Sequence, residues 1–417
     1  MNRILDVYFH HVLAGKLIQN KAGQLSFQYV DSYWNNKNSS SLSVSMPIQP
    51  ETYEGAQVKA FFSGFLPDDI VRHRLALYLG VSEKNPFALL EYIGGECAGA
   101  LSLYPEGQVP PEEQTTDVEV LDDQKLREIL DLLKRRPLLA GTDDMRLSLA
   151  GAQDKIAVGI KDGQIALIKG TTPTSHILKP VITDIKDSVH NELFCMRLAT
   201  LLDIEAPHTE IRWLGQTPYF LIERYDRIRN NKESSIKRLH QEDFCQALGI
   251  MPELKYEREG GPGIVKCLDV LQTYSAKPAV DCLAFIKRVI FNYLIGNADA
   301  HGKNFSLLYK DSHVPTLAPA YDVLCTAIYP NLSSKMAMKI GGKYDPKYIF
   351  LRHWYALVPD TISAKRNLEK QLVRMSRECL EKALDLKSKL IKEDIKSRVF
   401  DDICHVIKIR AEQILSN

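Results

Sequence analysis

Gly296-Asn297-Ala298-Asp299-Ala300-His301-Gly302-Lys303-Asn304-Phe305-Ser306 is the stretch on which the reading of this chain turns. It sets an aspartate five positions before an asparagine, behind an apolar helix-like run and ahead of a strand-like one. Phosphoryl transfer asks for that spacing: the aspartate must face the attacking hydroxyl, and the asparagine must turn toward the metal on the nucleotide phosphates. A second carboxylate, Asp322, follows another short apolar run (Ser306-Leu307-Leu308-Tyr309), where it can complete a metal site. One Asp-x4-Asn match arises by chance in a chain of this length, so the reading depends on a nucleotide-binding half upstream.

Three upstream segments are candidates for that half. Ser148-Leu149-Ala150-Gly151-Ala152-Gln153-Asp154-Lys155-Ile156-Ala157-Val158 places small residues ahead of a strand, and short side chains let backbone N–H groups approach a polyphosphate. It lacks the GK[ST] ending of a Walker A loop and the three glycines of a protein-kinase loop. On spacing alone it reads first as a tight turn between strands and second as a phosphate cradle. Lys179 ends the run His176-Ile177-Leu178-Lys179, where it can reach phosphates as a point charge or simply face solvent. Glu192, on a helix expected at 188–202, is available to hold it. Leu221-Ile222-Glu223-Arg224-Tyr225-Asp226-Arg227 is a hinge offering backbone groups to an adenine, or a plain surface turn. His301 orders Asp299, contacts phosphate or is a structural histidine.

Other chemistries find little support. No His/Cys cluster has metal-ligand spacing and no GxSxG elbow occurs. The eight cysteines are scattered with no CxxC pair, which reads as buried thiols in a reducing compartment. Apolar runs fall short of a membrane span and no early basic-then-apolar segment resembles a signal peptide, so a cytoplasmic protein is expected. A net charge of +1 leaves no global nucleic-acid footprint, and Lys335, Lys339, Lys343, Lys347 and Arg352 read as a solvated face.

At 417 residues, about 150 per domain gives two or three units. The first thirty residues alternate apolar and polar in short runs, predicting a small antiparallel sheet. Helices are expected at 56–66 and 69–79, separated by Pro67 and ended near Gly80, with a strand at 98–104. Pro, Glu, Gln and Thr fill 105–122 as a linker, and an amphipathic helix is expected at 123–135. Strands dominate 147–182 and 209–224; from about 240 the pattern is helical apart from 305–322. The expected division is 1–107, a small β-rich module; 108–225, a strand-rich ATP-binding lobe; and 226–417, a mainly helical catalytic lobe.

These pieces resemble the HipA-type serine/threonine protein kinases, toxins of bacterial HipBA toxin–antitoxin pairs. The blocks that carry the resemblance are Ala60-Phe61-Phe62-Ser63-Gly64-Phe65-Leu66-Pro67-Asp68, Ser148 to Lys155, Thr172-Pro173-Thr174-Ser175-His176-Ile177-Leu178-Lys179, Gln241-Glu242-Asp243-Phe244-Cys245-Gln246, Gly260-Gly261-Pro262-Gly263, Asn297 to Ser306 and Ala320-Tyr321-Asp322. They occur in the family's order and run to about residue 325.

The resemblance implies an α+β, two-lobed protein-kinase-like fold related to the PI3/4-kinases, using ATP and Mg2+. It implies Asp299 as catalytic residue, Asn304 and Asp322 as the Mg2+ pair, and Lys179 on the ATP phosphates. Ala150, Gly151, Ala152, Gln153, Asp154 and Lys155 fall in the phosphate loop, Glu223 and Tyr225 at the hinge, and His301 near the nucleotide. Ser148 matches a serine that the family autophosphorylates, with ejection of the loop and loss of activity. The implied partners are a HipB-like helix-turn-helix antitoxin, operator DNA mainly through it, and an aminoacyl-tRNA synthetase substrate, glutamyl-tRNA synthetase foremost. No DFG-type glycine follows Asp322, and Tyr225 stands where a hinge Phe is expected. A catalytically silent co-repressor and a same-fold kinase with another substrate are the alternatives.

Overall fold

The computed structural model describes residues 2–110, 117–141, 146–170, 172–230, 235–310 and 313–416. Residues 111–116 of the expected linker lie outside that set. The chain opens with β1 (Arg3–Phe9), β2 (Val12–Gln19), β3 (Leu25–Tyr29), α1 (Asp31–Trp34), β4 (Tyr53–Glu54), α2 (Ala56–Ser63), α3 (Asp69–Leu79), α4 (Pro86–Ile93) and β5 (Leu101–Pro105). It continues through β6 (Asp117–Val120), α5 (Asp123–Leu133), β7 (Ile156–Lys161), β8 (Gln164–Lys169), β9 (His176–Pro180), α6 (Ser188–Leu201), β10 (Thr209–Leu214) and β11 (Thr217–Glu223). Next come β12 (Arg227–Asn230), β13 (Ser235–Arg238), β14 (His240–Asp243), α7 (Phe244–Ala247), α8 (Ile264–Tyr274), α9 (Pro278–Ile295), β15 (Ser306–Tyr309) and β16 (Thr316–Leu317). The last helices are α10 (Leu351–Trp354), α11 (Ile362–Lys392) and α12 (Val399–Leu415).

Two compact units result. The first comprises Met1–Pro180, Arg212–Glu253 and Ser306–Pro315; the second comprises Val181–Ile211, Leu254–Phe305 and Thr316–Asn417. In the first unit the opening sheet is antiparallel, in the order β4-β3-β2-β1-β5. Its two-residue period is plainest in β3, where Leu25, Phe27 and Tyr29 are buried while Ser26 and Gln28 are not. A second antiparallel run follows the order β11-β9-β7-β8-β6. One continuous core, from Leu5 and Phe27 through Phe61 and Phe65 to Ile156, Leu178 and Leu221, joins the two sheets within this unit.

Local signals explain the helix boundaries. Pro67 follows α2, Asp68 precedes α3 in extended conformation, and α3 ends at Gly80. The carboxylate of Asp122 accepts the Lys125 N–H at 2.8 Å and starts α5. The hairpin β12–β13 was not anticipated from sequence: each strand carries a single isoleucine among charged and polar residues.

The second unit is helical, with α6, α8, α9, α11 and α12 packed on one another. In α11, Leu368, Leu372, Met375, Cys379, Ala383, Leu386 and Leu390 are buried at three- and four-residue steps. Each fully buried leucine of that stripe is worth about 1.5–3 kcal/mol. Seven cysteines are buried, Cys282 is partly so, and all eight are free thiols. Lys335, Lys339, Lys343, Lys347 and Arg352 are exposed, as expected of a solvated face. Among the described residues no helix is long and apolar enough to cross a membrane.

Candidate functional site

The expected nucleotide-side residues lie in the first unit. Residues 148–155 form an irregular loop that runs into β7. Ser148 is fully buried, and its Oγ donates to the Phe65 carbonyl at 2.6 Å. Its backbone N–H bonds the Glu96 carbonyl at 2.9 Å, and Asp68 N–H bonds the Gly151 carbonyl at 3.1 Å. The segment connecting α2 to α3 is thus the bed of the loop. Asp154 adds an ion pair with Arg74 at 2.5 Å, and Gln153 Nε2 donates to the carbonyl of Pro180 at 3.0 Å. Gly151 has φ +113°, and a Cβ there would lie 2.4 Å from Lys155 Nζ, which itself bonds the Ala150 carbonyl at 2.8 Å. The positive φ is what asks for glycine there, since the lysine tip could move aside. Ala150 and Ala152 contribute only methyl groups to the loop, whose Gln153 and Asp154 side chains are partly exposed.

Lys179 is buried at the end of β9, its Nζ 5.8 Å from the Phe220 ring centroid. Glu192 is buried on α6, in the second unit. Glu223 closes β11, half exposed, with its carboxylate 3.9 Å from His176 Nε2. The Tyr225 hydroxyl bonds Gln241 Oε1. Behind these hinge positions lies a buried ion network absent from the sequence reading. The Asp226 carboxylate meets Arg224 at 2.9 Å, Arg227 at 2.8 Å and the Gly99 N–H at 3.0 Å. Burial works against its charge, but the two guanidiniums outweigh that and hold Asp226 well below the usual carboxylate range. Glu96 Oε1 accepts from Arg227 at 2.5 Å and from Thr174 at 2.9 Å. The turn at 224–227 and the Ser148 loop therefore share one anchor, since Glu96 also takes the Ser148 N–H on its backbone.

The catalytic candidates lie in the second unit. The helix α9 ends at Gly296, and the loop beyond it is held by side chains on backbone groups. Thr326 Oγ1 accepts from Ala298 N–H at 2.8 Å, and Asn297 Oδ1 accepts from Asp299 N–H at 3.0 Å. Asn304 Nδ2 donates to the Asp299 carbonyl at 2.8 Å, committing the amide's donor end and leaving its oxygen for a cation. The Tyr321 hydroxyl donates to the Lys303 carbonyl at 2.7 Å, which ties the residue before Asp322 to the residue before Asn304. Asn304 and Asp322 accordingly line one recess, with Asn297 and Arg288. Asp322 sits at φ +57°, a left-handed conformation that aspartate tolerates better than most residues and that costs about 1–3 kcal/mol.

Asp299 is partly exposed; His301 is buried beside it, Nε2 3.9 Å from Oδ1. Tyr256, which the sequence reading did not single out, donates its hydroxyl to the same oxygen. Among the described residues no group of three or more His, Cys, Asp or Glu could hold a metal ion. A carboxylate and an amide oxygen instead suit Mg2+, which takes few protein ligands and keeps its waters and the substrate phosphates. The sequence-derived residues thus form two groups: 148–155, Lys179, Glu223 and Tyr225 in the first unit, and Asp299, His301, Asn304 and Asp322 in the second.

Comparison with known proteins identifies the family of this chain. Residues 147–385 match the family model of the HipA-like C-terminal domain, and residues 5–104 match the HipA N-terminal domain. The chain is 44% identical over 347 residues to Y4mE of Sinorhizobium fredii, whose name describes it as a kinase, covering 82% of this chain and 81% of that one. It is 32% identical over 341 residues to the serine/threonine-protein kinase toxin HipA of Shewanella oneidensis, covering 78% and 76%. The solved complex of Shewanella oneidensis HipA with HipB and operator DNA superposes with a TM-score of 0.82 at 26% identity, over 99% of this chain and 97% of that one. The α+β kinase-like fold expected from sequence is the fold observed, and the chain belongs to the HipA family of kinases.

Proposed function

We propose that this chain is an ATP- and Mg2+-dependent serine/threonine protein kinase and the toxin of a toxin–antitoxin pair acting in the cytoplasm. The observation that carries the kinase reading is the recess lined by both Asn304 and Asp322, with Asn304 also bonded to the backbone of Asp299. In this reading Asp299 accepts the proton of the acceptor hydroxyl and aims its oxygen at the γ-phosphorus. Asn304 and Asp322 hold the ion, which when bound neutralises charge on the phosphates. Lys179 adds a desolvated positive charge for the phosphates, and the backbone amides of 149–155 cradle them. Glu223 and Tyr225 meet the adenine, and His301 lies near the nucleotide. The working division is 1–107 as the N-terminal module, 108–225 as the ATP-binding part and 226–417 as the catalytic part.

The likeness to the Shewanella complex supports a HipB-like helix-turn-helix antitoxin as partner, with operator DNA met mainly through it. The protein acceptor in this reading is an aminoacyl-tRNA synthetase, glutamyl-tRNA synthetase first, whose phosphorylation halts translation and arrests growth. Self-phosphorylation at Ser148 ends the activity. Phosphoproteomics after induced expression tests all of this. Wild type should add phosphate to a synthetase peptide and to Ser148, and Asp299→Asn should lower both about 100-fold or more. Equal labelling by the two proteins, or none by wild type, would overturn the kinase reading.

A further inference from the structure

The Gly260-Gly261-Pro262-Gly263 block has no part in the chemistry described above, yet the fold bends it toward the catalytic loop. Glu259 N–H and Gly261 N–H both bond the Tyr256 carbonyl at 2.9 Å, closing a tight turn over residues 256–261. Gly260 has φ +108°, and a Cβ on Gly261 would come 2.3 Å from the Leu254 carbonyl oxygen. The turn is therefore closed to larger residues at Gly261. Its rim is pinned by Glu257, whose N–H bonds the Ala337 carbonyl at 3.3 Å and whose carboxylate takes the Lys339 N–H at 2.5 Å. The turn and the catalytic loop are joined by the Gly302 N–H, which bonds the Lys255 carbonyl at 3.2 Å.

This rigid turn presents one side chain to the reaction centre. The edge-on Tyr256 ring packs against His301, centroids 5.0 Å apart and planes 87° apart, with the Arg258 guanidinium 5.2 Å from the ring centroid. The phenol donates to Asp299 Oδ1. The bonds from Asn297 and Asn304 reach only the backbone of Asp299 and leave the carboxylate's rotation about its own side-chain bonds to other contacts. We infer that Tyr256 is a positioning residue: its hydroxyl turns the Asp299 carboxylate toward the acceptor hydroxyl, and the glycine-rich turn exists to hold Tyr256 there. This rests on the kinase reading above. An aspartate that must meet a hydroxyl within hydrogen-bond reach loses rate when its carboxylate is free to turn, while nucleotide affinity does not depend on that angle.

The test is Tyr256→Phe, which keeps the ring on His301 and removes only the donor. ADP formation from Mg-ATP should fall about 10- to 100-fold in kcat, the range for a lost hydrogen bond to a charged group, with KM for ATP within twofold of wild type. In an Asp299→Asn background the same substitution should change nothing further, because the carboxylate it orients is gone. That cycle decides the matter even if the phenylalanine variant loses some stability. An active wild type with full kcat in Tyr256→Phe, a rise in KM in place of the fall in kcat, or additivity in the cycle each overturns the role of Tyr256 alone. A wild type that forms no ADP overturns the kinase reading and this role together.

Discussion

Replacing Ser148 by aspartate should lift residues 148–154 off their bed. Three neutral hydrogen bonds hold the segment (Ser148 Oγ to Phe65, Ser148 N–H to Glu96, Gly151 carbonyl to Asp68), along with Gln153 on Pro180 and the ion pair Asp154–Arg74. At about 1 kcal/mol per neutral bond and less than that for a part-exposed ion pair, the grip is on the order of 4 kcal/mol. A carboxylate at a fully buried position facing a carbonyl oxygen costs several kcal/mol, and a phosphate dianion more, so detachment is the cheaper state for either. Hydrogen exchange read by mass spectrometry measures this directly. A 4 kcal/mol grip protects the Ser148 amide by about three decades in wild type. Ser148→Asp should lose most of that protection, while Ser148→Ala, which gives up one bond, should lose about a factor of five to ten. Exchange in Ser148→Asp as slow as in wild type would refute the reasoning.

Glu242 and Asp226 give two further expectations for the first unit. Glu242 is fully buried, accepting from Val44 N–H at 2.9 Å, from Tyr309 at 2.6 Å and from Ser43, and burial pushes its carboxyl up to about 7. A folded pKa above the unfolded value of 4.5 means that the stabilisation is complete below 4.5 and is lost as pH rises through about 7. The loss is on the order of 3 kcal/mol, and urea midpoints of wild type minus Glu242→Gln should show it between pH 4.5 and 7; a pH-independent difference sinks the assignment. Asp226→Asn leaves the buried Arg224 and Arg227 guanidiniums with Glu96 still paired to both but without the Asp226 carboxylate, and should cost about 3 kcal/mol in urea unfolding, an expectation that a loss under 1 kcal/mol defeats.

What the sequence made legible follows from how local each signal is. The end of α3 at Gly80, the start of α5 at Asp122 and the alternation of β3 are written within a few residues, so they could be read directly. The Asp299–Asn304 pair was legible because one short loop holds both members. β12, β13 and β14 were not: β12 and β13 each carry one isoleucine among polar and charged residues, and β14 buries His240, Glu242 and Asp243. Burial of charge erases the apolar period on which strand reading depends. Tyr256 escaped for a related reason: its bond to Asp299 spans 43 positions, and a tyrosine beside glycines carries no spacing signature of its own.

The first unit takes its last strand from late in the chain. β15 pairs with β14, and Tyr309 at its end supplies a hydrogen bond to Glu242. During synthesis the Phe65 carbonyl and Arg74 emerge well before residue 148, so the loop that follows meets a bed already made. At about 5–20 residues per second the interval is several seconds, long against the folding of a small sheet. The completed unit must wait longer, until Ser306–Tyr309 leaves the ribosome. A nascent chain halted between residue 243 and that point carries the 148–155 loop and β14 but lacks the strand beside β14 and leaves Glu242 short of a donor. For a protein whose proposed work is to stop translation, the ribosome that makes it must first carry the chain past residue 309.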